Sequence, residues 1–182
     1  MSYYELVAST DQDTGVTRNP PLPDTVFFQA GEWIDESLLE PLVFQCNNTA
    51  NDPPPDFSKR IIPVLSQRFL SRLQAAGVDN LQTFRAELVN PTTGERWTDF
   101  HTVNIIGAIP CAYLTRSRYT AISAGMIEFD EIVLDAGLTR EALLFRLAES
   151  TRRIIVHSQV IEHLVDRDDP PLTGFDVNVL ET

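Results

Sequence analysis

Two stretches of the chain carry one pattern, and that pattern limits what it can build. Residues 60–89 read RIIPVLSQRFLSRLQAAGVDNLQTFRAELV and residues 153–180 read RIIVHSQVIEHLVDRDDPPLTGFDVNVL. In the first, Ile61-Ile62-Pro63-Val64 is a β-branched run, after which Leu65, Phe69, Leu73 and Ala76 recur at the spacing of one helical face. Ser66 is placed to cap that helix and Gly77 to end it. Phe84, Ala86 and Leu88 then alternate with Arg85 and Glu87, as in a half-buried strand. The second stretch repeats the order strand, helix, strand: Ile61 and Ile154 are offset by 93 residues, Ser66 and Ser158 by 92, and Phe84 and Phe175 by 91. Two readings stand, an internal duplication or the chance likeness of two units of one architecture, and under either the two helices are expected to cover one face of a shared sheet.

Between the two stretches the pattern is of strands. Asn90-Pro91-Thr92-Thr93-Gly94 has turn chemistry at each step, so that Trp97 to Ile106 returns as the second arm of a hairpin. Ile127, Phe129 and Ile132-Val133-Leu134 read as a further strand, with a bulge at the adjacent acids Asp130 and Glu131. Leu138 to Leu147 fits two descriptions: a short helix capped by Thr139 and stapled by Leu138 and Leu143, or a strand through Leu143-Leu144-Phe145. The first third is poorer in pattern. Residues 8–25 and 46–58 are rich in Pro, Asp, Asn and Thr and read as loops, with short apolar runs at Val26-Phe27-Phe28 and Leu38 to Phe44. The expectation is an α+β fold over residues 1–182 as a single domain, with a loop-rich N-terminal part (1–58) and a core (59–182) of mixed sheet, two strand-helix-strand units (60–89 and 153–180) and a hairpin.

A chain of 182 residues that is 43% hydrophobic can build one core without a cofactor. The net charge of -12, with Lys59 the only lysine, repels phosphate backbones and anionic membranes, and it suits a basic protein partner as well as simple solubility. Met1-Ser2-Tyr3-Tyr4-Glu5 lacks the basic flank and apolar run of a signal peptide, so a cytoplasmic protein is expected, with Cys46 and Cys111 as free buried thiols.

The motifs that could carry chemistry are incomplete. His157 and His163 are six residues apart, about 600° around a helix, and cannot share a metal; His101 falls in a strand pattern. Asp11-Gln12-Asp13-Thr14-Gly15 begins like a calcium loop, but Val16 and Leu22 stand where the loop needs Gly and Glu. Ala121-Ile122-Ser123-Ala124-Gly125 resembles a nucleophile elbow, yet the following residues have a strand pattern where the elbow requires a helix. No Gly-Lys pair exists to form a phosphate-binding loop. Asn104, between apolar neighbours, needs hydrogen-bond partners if buried. Glu162, Asp166, Asp168 and Asp169 form an acidic group at the end of the second helix and in its loop, either solvated surface or a partner-binding patch. No catalytic residues, metal or cofactor are expected.

The order Asp56-Phe57, Ile62-Pro63-Val64-Leu65-Ser66, Gly77-Val78-Asp79-Asn80, Val103-Asn104, Ser117, Ile132-Val133-Leu134-Asp135, Phe145-Arg146-Leu147, Ile154-Ile155-Val156 and Gly174-Phe175 resembles the bacterial polymorphic-toxin immunity family numbered eleven, in the variant similar to those of myxobacteria. The resemblance covers residues 56–180, and the N-terminal third loosely. It implies an immunity protein that binds and neutralises a cognate toxin by stoichiometric occlusion in the producing cell, and it carries over no catalytic residue. Where the family pattern has an Asp four residues before the matching serine, this chain has Tyr113. The alternatives are a serine hydrolase using Ser123 and a protein-binding subunit of a bacterial assembly without a toxin partner.

Overall fold

The computed structural model describes residues 2–9, 15–38, 40–123, 126–165 and 170–182. Its elements are β1 (Tyr3–Ala8), β2 (Val16–Arg18), β3 (Leu42–Cys46), β4 (Phe57–Lys59), β5 (Pro63–Ser66), α1 (Gln67–Ala75), β6 (Leu81–Val89), β7 (Arg96–Ile105), β8 (Ala108–Ile109), β9 (Arg118–Ser123), β10 (Met126–Glu131), β11 (Leu144–Leu147), β12 (Ser150–His157), α2 (Ser158–Leu164) and β13 (Phe175–Leu180). The chain is α+β and mostly strand. One mixed sheet has the order β2-β3-β6-β7-β5-β4, another has β13-β1-β12-β11-β8, and β9 and β10 form a separate two-stranded sheet.

Helix α1 forms where its capping residues dictate. Ser66 Oγ accepts from Phe69 N at 3.2 Å, and the same hydroxyl donates to Asp56 Oδ1 at 2.6 Å. At the other end Gly77 takes φ +91°, Gly77 N donates to Gln74 O and Val78 N reaches back to Leu73 O, both at 3.0 Å, which closes the last turn. Phe69, Leu70 and Leu73 are the buried face. Leu65, counted with that face in the sequence, is the last-but-one residue of β5 and packs in the same core.

The two strand-helix-strand units do not share a sheet, contrary to expectation. β5 and β6 are both antiparallel to β7, which lies between them, whereas β12 and β13 are both antiparallel to β1 in the other sheet. Each unit therefore closes around its own intervening strand. Helices α1 and α2 meet, and with the facing sides of both sheets they enclose one core that includes Leu6, Ile154 and Val156 from one sheet and Leu65, Val103 and Ile105 from the other. The helices start at residues 67 and 158, an offset of 91 (158 − 67), which also relates the caps Ser66 and His157 and the buried pairs Phe69/Val160 and Leu73/Leu164. Phe84 and Phe175 share that offset but face opposite ways: Phe84 meets Phe28 outside the six-stranded sheet (5.6 Å between rings), and Phe175 meets Phe69 in the shared core (5.3 Å).

Each sheet also carries a cover on its outer side. Val26, Phe28 and Ile34 from the loop-rich N-terminal third lie over the six-stranded sheet with Phe44, Val64, Ala86 and Leu88. Phe129, Ile132 and Leu134 lie over the five-stranded sheet with Tyr3, Phe145, Leu147 and Ile155. The N-terminal third supplies more than a cover, since β1 is an interior strand and β3 lies parallel to β6. The expected bulge appears between Phe129 and Glu131, but Ile132-Val133-Leu134 leaves the strand and makes only isolated bridges. Over Leu138 to Leu147 the strand reading holds, as β11, preceded by a single 3-10 turn (Ala136–Leu138) that Asp135 caps in place of Thr139.

Candidate protein-binding surface

Of the acidic group, Glu162 is exposed on α2, where with Arg72, Ala75 and His163 it lines a recess of about 320 Å³. Asp166, Asp168 and Asp169 lie outside the described residues, as do residues 11–14 of the calcium-like segment and Ala124-Gly125 of the elbow-like one. Ser123 pairs with Met126 across β9 and β10, so the chain turns from strand back into strand at this point. A nucleophile elbow needs a strand-to-helix turn.

The other singled-out residues have structural surroundings. His157 is the α2 cap, its Nδ1 accepting from Gln159 N at 3.1 Å; His163 is exposed and His101 sits on β7. Among the described residues no three His, Cys, Asp or Glu side chains converge on a point suited to a metal. Cys46 and Cys111 are free and lie in different clusters. Burial raises both thiols, Cys111 to about 12, so neither is a nucleophile near neutrality. Asn104 is fully buried and donates to Glu32 O at 2.7 Å and Gln82 Oε1 at 3.1 Å. Gln82 in turn donates to Ile34 O and accepts from Ile34 N, so these two polar side chains stitch the N-terminal cover onto the sheet. Ser117 Oγ likewise ties Tyr113 to Val133, bonding the carbonyl of the first and the amide of the second at 3.0 Å each.

Where that cover meets the turn before β5, apolar side chains point outward. Phe27 is 64% exposed and Ile61 53%, while their neighbours Phe28 and Ile62 are buried. These four, with Asn19, Pro20, Leu22, Val26 and Gln29, surround a cavity of about 220 Å³. Asn19 Oδ1 is buried there without a hydrogen-bond partner among the described residues. Gln29 Nε2 donates to Ile61 O at 3.1 Å and fixes the two walls together. Gln29 also lines a second cleft, of about 310 Å³, with Ile122 (60% exposed), Ile127, Glu128 and residues 148–152. Gln29 thus joins the two concavities, around which Phe27, Ile61 and Ile122 present three large apolar side chains. Sequence marked Val26-Phe27-Phe28 and Ile61-Ile62 as apolar, but assigned no direction to them. In each pair one neighbour faces in and the other out, and only the sheet beneath decides which.

Sequence reasoning also gave no role to two cations, Arg146, which is buried, and Lys59, which is half-buried. Arg146, on β11, is fully buried: Nη1 donates to Thr151 O at 2.7 Å, while Nε and Nη2 have no partner among the described residues. Burial lowers its guanidinium to about 10. Lys59 Nζ donates to Arg152 O at 2.6 Å, and burial, then the charge of Arg146, lowers it to about 8.

No protein-family model matches the chain. No curated protein matches it either.

Proposed function

We propose that this is a cytoplasmic immunity protein that neutralises a cognate bacterial toxin by stoichiometric occlusion, and that the surface around Phe27 and Ile61 makes the central contact. The observation that carries the reading is the coincidence there of exposed large apolar side chains and concavity. Contiguous apolar surface on a folded chain marks interaction sites, and binding energy concentrates where a large side chain fills a desolvated pocket. An apolar toxin side chain seated in the cavity buries Phe27 and Ile61 together. The resemblance of residues 56–180 to the immunity family supports the identity of the partner, and the acidic balance of the chain supports a basic one.

Glu162, Asp166, Asp168 and Asp169 act in this proposal on encounter, by steering a basic toxin. Long-range charge changes association rates more than dissociation rates, so association slows as salt rises and slows further when Asp168 and Asp169 are both reversed to Lys. A protein-binding subunit of another assembly would use the same surface with a different partner. Co-expression with the C-terminal domain of a toxin encoded beside this gene separates the two: rescue of growth supports immunity, and death of the cells despite soluble protein contradicts it.

A further inference from the structure

Strand β13 is the outermost strand of the five-stranded sheet, and it differs from the other edges of the fold. At the opposite edge β8 has two residues; in the six-stranded sheet the edges β2 and β4 have three each and carry Arg18 and Lys59. The pair β9/β10 is longer but carries Arg118, Glu128, Asp130 and Glu131 and has two register shifts. Short length, basic charge and bulges are the devices that stop an edge from pairing with another chain. β13 has none of them: Phe175–Leu180 is six residues, FDVNVL, with one charge, no Pro or Lys, and an unbroken register against β1 from Ala8↔Phe175 to Tyr3↔Leu180.

The direction of its free backbone groups follows from its end. Leu134 N donates to Glu181 O at 2.8 Å, on the side away from β1, and strand alternation then turns the N–H and C=O of Val177 and Val179 outward. Val179 is 75% exposed. A cleft of about 640 Å³, lined by Val7, Ala8, Val165, Leu172 and residues 175–178, lies beside the strand.

We infer that β13 pairs with β13 of a second copy of this chain, antiparallel about a two-fold axis at Asn178, to make a continuous ten-stranded sheet. The edge is self-complementary in that register. Val177 of each copy falls opposite Val179 of the other, so both sets of outward backbone groups are satisfied and the exposed Val179 is covered beside the half-buried Val177. Asp176 falls opposite Leu180, which keeps like charges apart, and the two Asn178 amides face each other. The pairing ends at Leu180, before Leu134 closes the edge. Two chains of net charge -12 repel at a distance, so the dimer tightens as salt screens them.

Sedimentation equilibrium of the full chain, at salt from about 0.05 to about 0.5 M, reads this directly, with the dimer constant tightening about tenfold or more across that range. Val179→Pro removes an outward N–H without touching the β1 ladder, and is expected to leave the melting transition in place and the protein monomeric. Asn178→Cys is expected to form an intermolecular disulfide on mild oxidation, because a directly opposed non-hydrogen-bonded pair has the separation a disulfide needs. A wild-type monomer at about 100 µM in the highest salt, where a dimer of even modest affinity would be populated, overturns the inference. So does a dimer that survives Val179→Pro, since it must be built elsewhere.

Discussion

The Tyr3 hydroxyl donates to Thr139 Oγ1 at 2.9 Å across 136 residues of sequence, and both side chains are buried. Thr139 passes the bond on to Ala136 O at 2.8 Å, so the 3-10 turn before β11 is anchored to the interior strand β1. Tyr3→Phe keeps the ring contacts with Phe145 and His157 and removes only the donor. Urea unfolding is expected to show a loss of about 0.5–1.5 kcal/mol, the net value of one such bond. Deleting residues 1–8 is a different matter: it removes the strand between β12 and β13, and no cooperative transition should remain.

Leu73 is 2% exposed at the meeting of α1 with both sheets. Leu73→Ala is expected to cost about 2–5 kcal/mol, and Leu73→Asp more, because an unpaired charge then enters the space the leucine leaves. A change below about 0.5 kcal/mol, typical of surface sites, would mean that the helix buries another face.

Helix α1 was legible because its determinants are local: a capping serine, a four-residue apolar period and a glycine at the left-handed position lie within twelve residues, Ser66 to Gly77. β1 was not, although Tyr3-Tyr4-Glu5-Leu6-Val7 suits a strand, because what makes it one is pairing with His157 and Leu180 at the far end of the chain. The separation of the two units into different sheets was hidden for the same reason, since the strand that completes each unit lies outside it. The candidate surface was invisible from pattern alone: Phe27 and Phe28 are identical letters, one exposed and one buried against Phe84. The acidic group was easy to see as charge, and only Glu162 of it falls among the described residues.

Folded Lys59 loses its proton at about 8, against 10.5 for an unperturbed lysine. Between those values the unfolded chain binds more protons than the folded one, so this residue makes stability rise with pH, and its burden is fully present only well below pH 8. Above pH 9 the cysteines act in the opposite sense, because unfolded thiols ionise while folded Cys111 holds its proton to about 12. Below pH 8 few unfolded thiols, of ordinary value 9.0, have ionised, so the interval from about pH 7 to 8 reports Lys59. Urea unfolding across it should show a rise in the wild type that Lys59→Met abolishes; equal slopes would show that Lys59 is solvated in the native protein.

Arg146 places a guanidinium between the sheets with one hydrogen bond and no carboxylate in contact among the described residues. Exchange of a buried, poorly compensated charge for an apolar side chain of similar length is often neutral or stabilising, by about 1–4 kcal/mol. Arg146→Met is expected to unfold at the same or higher urea concentration than the wild type. A loss of about 3 kcal/mol or more, the size seen when a paired buried charge is broken, would show that the guanidinium holds the β11–β12 turn through Thr151.

The surface of Phe27 and Ile61 is the proposed toxin contact. Isothermal titration of the toxin domain encoded beside this gene, in catalytically inactive form, into wild-type protein and into Phe27→Asp and Ile61→Asp variants measures that contact. Both side chains are largely exposed, so the variants should keep the wild-type melting transition. One toxin per chain is expected for the wild type, with a loss of at least about 2 kcal/mol of binding free energy, roughly thirtyfold in affinity, for each variant. Binding of both variants as tight as that of the wild type, or no binding of the wild type, would contradict it.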